Sequence, residues 1–235
     1  MNNFVRTLTI IYDVNIDFKQ ITSFRGAVVA KIGDGADILY HNHYGDKKLR
    51  YSYPLIQYKR LRGQAAIVCV NQGADVIGQF LSTNDKILNI VDQEIEFNVA
   101  KVVPFRILMQ TWKRTFKYAL SRWLPLNAKN YRLYQMAETD EERKSLLESV
   151  LVGNLLSMLK GLDIHAEDRI TVKIEKVDRV YATYNKGIGL LTFDLVFTSN
   201  LTIPNNVGIG KNASIGYGIV KELKSNNNQN IKENE

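Results

Sequence analysis

Tyr51-Ser52-Tyr53-Pro54-Leu55-Ile56-Gln57-Tyr58-Lys59-Arg60-Leu61-Arg62-Gly63-Gln64-Ala65-Ala66-Ile67-Val68-Cys69-Val70 is the stretch that decides the fold. Two β-prone runs, Tyr51 to Tyr58 and Gln64 to Val70, flank a basic turn at Arg60-Leu61-Arg62-Gly63, so the segment reads as two consecutive strands. Upstream, a polar, basic loop to about Arg50 separates them from a helix. Phe18, Ile21, Phe24, Val28, Val29 and Ile32 recur there at three- and four-residue spacing, Asp17 stands at the N-cap, and Gly33 to Gly35 end the run. Phe4 to Tyr12 is a strand before it. Downstream come a short helix after Gly73 and a strand around Glu94 to Val103. Strand, helix, two strands, helix, strand is the order of a ferredoxin-like unit.

The second half starts near Pro104. Two strands are expected within Phe105 to Leu124, and Pro125 with Asn127 opens a helix. Thr139 and Glu142 form a capping box for a longer helix whose core side is Leu146, Leu147, Val150, Leu151, Leu155, Met158 and Leu159, closed by Gly161. Ile170 to Tyr184 and Gly189 to Thr198 make a hairpin turned at Asn185-Lys186-Gly187. The chain is therefore α+β: two tandem ferredoxin-like (RRM-like) domains, 1–103 and 104–223, the second degenerate and carrying a glycine-rich loop. The polar, Asn-rich 224–235 reads as a disordered tail.

That loop, Val207-Gly208-Ile209-Gly210-Lys211-Asn212-Ala213-Ser214-Ile215-Gly216-Tyr217-Gly218-Ile219, holds four glycines within eleven residues around one lysine. Glycines let a backbone approach a ligand closely, and N–H groups with Lys211 suit an anionic polymer; a pair of tight turns is the plainer alternative. Dinucleotide and Walker motifs do not fit. Gly210 to Gly216 is too long an interval for the first, and Asn205 and Asn212 hold places the second needs for glycine and for Ser or Thr.

The 235 residues suffice for one large or two small cores, and a net charge of +7 favours polyanionic partners. Between Glu96 and Glu138 there is no acid, while Lys101, Arg106, Lys113, Arg114, Lys117, Arg122, Lys129 and Arg132 are basic. Phe105, Trp112, Phe116, Tyr118, Trp123, Tyr131 and Tyr134 are interleaved with them. Stacking aromatics beside cations are what single-stranded RNA recognition uses. Cys69, the only cysteine, lies in an apolar run and reads as core, which excludes a disulfide framework. With no signal peptide and no membrane-length apolar run, a cytoplasmic protein without membrane contact is expected.

His41-Asn42-His43, followed by Lys47, Lys48, Arg50, Tyr51 and Tyr53, holds two of the three histidines. Imidazole is suited to proton transfer near neutrality. From residue types alone, a catalytic pair and an inert exposed loop stand level. Two His ligands do not make a metal site, and Cys69 and His165 sit in unrelated contexts, so no metal or cofactor is expected.

His41 to Lys59, ending in Tyr53-Pro54-Leu55-Ile56-Gln57-Tyr58-Lys59, and Asn200-Leu201-Thr202-Ile203-Pro204 through Gly218-Ile219 resemble the N-terminal signature and glycine loop of CRISPR repeat-processing endoribonucleases. These belong to the repeat-associated mysterious protein superfamily. Arg25-Gly26-Ala27, Trp123-Leu124-Pro125-Leu126-Asn127 and Gly153-Asn154 are similar to the subgroup with a distinctive N-terminal domain. The resemblance implies cleavage of CRISPR repeat RNA across a basic cleft, without metal. His43 and secondarily His41 would transfer protons, Tyr51 or Tyr53 would assist, and Lys47 or Lys48 would stabilise charge. RNA contacts are expected from Gly208, Gly210, Lys211, Asn212, Ser214 and Gly216 in the loop, and from Lys113, Arg114, Lys117 and Arg122 in the belt. A non-cleaving crRNA-binding scaffold of the same superfamily is the alternative, and a ligand- or protein-binding double ferredoxin-like protein ranks below both. Membership of an effector complex and homodimerisation stay open.

Overall fold

The computed structural model describes residues 3–33, 37–40, 43–44, 48–49, 53–83, 86–185 and 188–224, with the backbone alone at 43–44, 48–49, 185 and 188. The first half runs β1 (Phe4–Asn15), α1 (Ile21–Ile32), β2 (His43–Tyr44), β3 (Lys48–Leu49), β4 (Ile56–Leu61), β5 (Gln64–Val70), α2 (Gln72–Val76), α3 (Gly78–Leu81), β6 (Ile87–Ile90), β7 (Gln93–Glu96) and β8 (Val99–Leu108). The second runs β9 (Thr111–Trp123), α4 (Ala128–Met136), α5 (Asp140–Gly161), β10 (Val172–Asn185), β11 (Ile188–Leu201) and β12 (Ile219–Glu222).

Strand order is β4-β5-β1-β8 in the first sheet and β10-β11-β9-β12 in the second, every pairing antiparallel. Each is the ferredoxin-like order. The first unit has α2 and α3 between its third and fourth strands. The second has the glycine-rich stretch 202–218 in that place, which is what makes it degenerate.

Local signals account for most elements. Gln20 Oε1 accepts the Asp17 N–H at 2.7 Å just before α1, and Ile21, Phe24 and Val28 face the core. Phe24 is fully enclosed between Tyr12, Tyr58 and Phe97; burying such a ring stabilises by roughly 1.5–3 kcal/mol. Asn127 caps α4 by accepting the Asn130 N–H at 2.8 Å, and Thr139 with Glu142 closes the capping box of α5. Leu147, Leu151, Leu155, Met158 and Leu159 of α5 are buried with Tyr118, Trp123, Phe193 and Phe197, in a core that is continuous with that of the first unit.

The largest departures from the sequence expectation are at β4 and around β7 and β8. β4 starts at Ile56 rather than Tyr51, because Tyr53-Pro54 turns toward the second unit. It continues to Leu61, because the turn uses only Arg62 (φ 52°) and Gly63 (φ 95°), the two positive angles of a tight hairpin. The expected strand from Glu94 to Val103 is two, β7 and β8. β8 carries on to Leu108, opposite Phe4, past the 103/104 division, so only β9 of the two strands expected within Phe105 to Leu124 lies in the second sheet. Beyond Lys224, the expected tail lies outside the described residues.

Candidate functional site

β4 is an edge strand, and its alternation places Ile56 and Tyr58 toward α1 and Gln57 and Lys59 on the opposite face. The glycine stretch docks on this edge. Tyr58 N–H donates to Ser214 O (2.8 Å), in a parallel bridge that extends the sheet by one step. Gln57 Oε1 accepts the Gly208 N–H (2.8 Å), and Lys59 Nζ donates to Ala213 O (2.9 Å). Tyr53, turned out of the strand, donates its hydroxyl to Gly208 O (3.0 Å). The stretch also closes on itself through Ile209 N–H to Gly218 O (2.8 Å), and Gly218 N–H ties it to β9 at Arg122 O (3.0 Å).

The glycines serve this packing. A Cβ on Gly208 would stand 2.8 Å from both Ala213 O and Lys59 Nζ. On Gly216 (φ +85°) it would press Ile21 and Phe18 of the α1 entrance. On Gly210 (φ +82°) it would strike Asn154 Oδ1, which accepts the Trp123 indole N–H at 2.9 Å. Gly208 and Gly216 are thus buried joints between the two units, and the Gly208 N–H, expected to face a phosphate, is taken by Gln57. The turn between the glycine pairs remains outward: Lys211 is exposed, and Asn212 and Ser214 are half-buried.

Beside the turn an open cleft of about 480 Å³ runs between the start of α1 and the β10–β11 hairpin, lined by Phe18, Lys19, Arg122, Thr183, Tyr184 and Tyr217 among others. Arg122 is its central cation. Its φ of 55° lifts the side chain out of β9's alternation, with the backbone N–H held by Asp194 Oδ1 at 2.6 Å. The guanidinium lies 3.3 Å from the Phe18 ring centroid, and Phe18 meets Tyr217 edge-on at 4.9 Å. Asp194 also takes Arg179 (2.9 Å), and among the described residues no carboxylate pairs with the Arg122 guanidinium. Of the three enclosed side-chain atoms lacking a partner among the described residues, two are donors here, Arg122 Nε and Asn212 Nδ2. A surplus of buried donors around an exposed lysine fits an anionic ligand.

The amino-acid pattern over residues 3–104 matches the Cas6b N-terminal domain, and residues 110–223 match the Cas6b C-terminal domain. This chain belongs to the Cas6b family. A solved structure described as Cas6b superposes on 94% of this chain and 100% of its own with a TM-score of 0.85 at 27% identity. A second, described as the CRISPR RNA processing endoribonuclease Cas6b, covers the same shares with a TM-score of 0.72 at 25% identity. The uncharacterized protein MJ0978 of Methanocaldococcus jannaschii is 41% identical over 102 residues, 43% of this chain and 67% of its own.

Within this Cas6b fold the expected site residues divide. His41, Lys47 and Tyr51 lie outside the described residues. His43 pairs opposite Leu49 in the β2–β3 ribbon, where its backbone is described. Tyr53, the alternative to Tyr51, is committed to Gly208, and burial pushes its phenol well above its ordinary pKa, so its hydroxyl serves as a strut. Tyr53 is ten residues after His43, and ties the downstream end of the histidine segment to the glycine turn. Lys113 and Arg114 are exposed on β9, Arg114 over the Phe116 ring at 4.9 Å. Lys117 is paired with Glu175 of β10 at 2.6 Å, an acid brought in from outside the acid-free window. Tyr118 and Trp123 of the aromatic set are core residues.

Phe18, Lys19, Lys59, Tyr184 and Tyr217 escaped the sequence reading as site residues. Polar Gln57 and Lys59 at alternate positions of an apolar strand were the legible signal that its second face meets something polar. Among the described residues, no three His, Cys, Asp or Glu gather as a metal-holding set, and no helix is long and apolar enough to cross a membrane.

Proposed function

We propose that this chain is an endoribonuclease that processes CRISPR repeat RNA by metal-independent attack of a ribose 2′-OH on the adjacent phosphorus. The products are a 2′,3′-cyclic phosphate and a 5′-OH. The observation that carries the reading is the Cas6b match along both halves of the chain. The donor-rich junction supports it: a turn bearing Lys211, Asn212 and Ser214 beside Arg122 suits a phosphate backbone, and exposed Tyr184 suits a base.

The nucleophile is already tethered to its electrophile, so the protein's main task is to hold the in-line angle. In this reading His43, with His41, accepts the 2′ proton and supplies one to the leaving 5′ oxygen, each transfer contributing about 10²–10⁴-fold. Tyr51 assists, Lys47 offsets charge on the non-bridging oxygens, and Lys113, Arg114 and Arg122 hold flanking phosphates. Incubation with repeat RNA from the same genome, with and without EDTA, followed by end-group analysis, tests this. Cyclic-phosphate ends, indifference to EDTA and loss of cutting by His43→Ala are expected. Metal-dependent cutting of RNA carrying a 2′-deoxy at the cleaved position would overturn the chemistry, and unchanged cutting by His43→Ala would remove that residue from it.

A further inference from the structure

Lys59 is wholly enclosed, and among the described residues its ammonium has one acceptor, Ala213 O at 2.9 Å. An ammonium carries three donors, and burying it without a carboxylate is costly, so its position needs a reason. Among the described residues, the groups around it are uncharged. On its own face of the sheet stand Gln57, whose amide oxygen is taken by Gly208, and Ala66 across on β5. From the glycine stretch come Gly208 and Ala213, and Tyr53 meets Gly208 with a phenol that burial keeps protonated. The nearest cation in sequence on that stretch, Lys211, is exposed.

The missing Cβ of Gly208 leaves room that the Lys59 ammonium occupies, 2.8 Å from where that carbon would lie. Lys59 therefore supports the turn from the sheet side, while Lys211 is exposed on its outer side. We propose that Lys59 is a positioning residue of the RNA site: it holds the glycine turn from beneath, and its charge is coupled to phosphate bound on the turn's outer side. This rests on the reading of that turn as a phosphate-contacting surface. Two further unpartnered donors at the same junction, Asn212 Nδ2 and Arg122 Nε, point the same way. Burial also lowers the Lys59 pKa from 10.5 to about 7, so its charge changes within the working range of an RNA enzyme. Phosphate on the turn favours the protonated form, and RNA binding then takes up a proton.

The test is equilibrium binding of repeat RNA, with a 2′-deoxy at the cleaved position, to the full chain, to Lys59→Met and to Lys211→Ala between pH 6 and pH 8. The unmodified chain should lose about tenfold in affinity across that range beyond any change seen in Lys59→Met. Calorimetry in two buffers of different ionisation enthalpy should register uptake of more than about half a proton near pH 7.5. That uptake should persist when His41 and His43 are both replaced by glutamine, which keeps the proposal testable if Lys59→Met fails to fold. Parallel pH profiles for the unmodified chain and Lys59→Met, with Lys211 still required for affinity, would overturn the coupling alone. Unchanged affinity in Lys211→Ala would remove the turn as the phosphate site, and this proposal with it.

Discussion

The buried ammonium of Lys59 should make the stability of the fold rise with pH. Its pKa is about 7 in the folded chain against 10.5 when solvated. The unfolded chain therefore binds more protons across that interval, and stability grows as pH increases. The contribution is complete above the solvated pKa and is lost as pH falls toward 7. Integrated between pH 7 and pH 9, the gain is about 2 kcal/mol. From about pH 8 an opposing group enters, because burial holds the Cys69 thiol protonated while the unfolded thiol ionises; the buried phenols of Tyr12, Tyr58 and Tyr118 follow higher still. Cys69 is present in both the unmodified chain and Lys59→Met, so the difference between them isolates Lys59 over the window from about pH 7 to 9. Reversible urea unfolding of the unmodified chain and of Lys59→Met at pH 7, 8 and 9 measures it. With a denaturant slope of roughly 2–3 kcal/mol per molar, the midpoint difference between the two proteins should change by just under about 1 M across the window. Titrations common to both proteins cancel in that difference. Midpoints that move in parallel would show that Lys59 is not charged against a buried environment, and the reasoning would fail.

Gly210→Ala forces a left-handed alanine (φ +82°) onto Asn154 and disturbs its bond to Trp123, so thermal melting should show a loss of about 2–4 kcal/mol. Thr139→Ala removes the cap of α5 and should cost about 1 kcal/mol by the same assay, without altering RNA affinity. Arg122→Met removes the guanidinium that lies over Phe18; RNA affinity should fall and the slope of log affinity against log salt should drop by about 1 in titrations across salt. Tyr53→Phe leaves the Cβ and backbone against Gly161 but frees Gly208 O, and should destabilise by about 1 kcal/mol in urea unfolding.

Much of the architecture was readable residue by residue because its signals are local. Asn127 and Thr139 cap the helices they precede, Phe24 and Val28 mark the buried stripe of α1, and the short apolar, β-prone run in 64–70 marks a strand. The errors came where a distant partner overrode local pattern. β8 extends to Leu108 because Phe4 pairs with it there, and Tyr53-Pro54 leaves β4 because the glycine turn offers Tyr53 an acceptor. The acid-free window looked like one uninterrupted cationic belt, yet Glu175 folds back onto Lys117, and Tyr118 and Trp123 turn inward.

The order of elements, and with it the tandem ferredoxin-like pair, was determined by the sequence alone, since periodicity and caps act over a few residues. The presence of a glycine-rich turn was equally visible there. Only the tertiary structure decided what the glycines accommodate: Lys59, Asn154 and the α1 entrance, each far away along the chain. It also decided that Lys59 is a buried charge and Arg122 a stacked one. The reason is that spacing reports which face of an element is apolar, whereas solvation and electrostatics depend on what another element brings against that face.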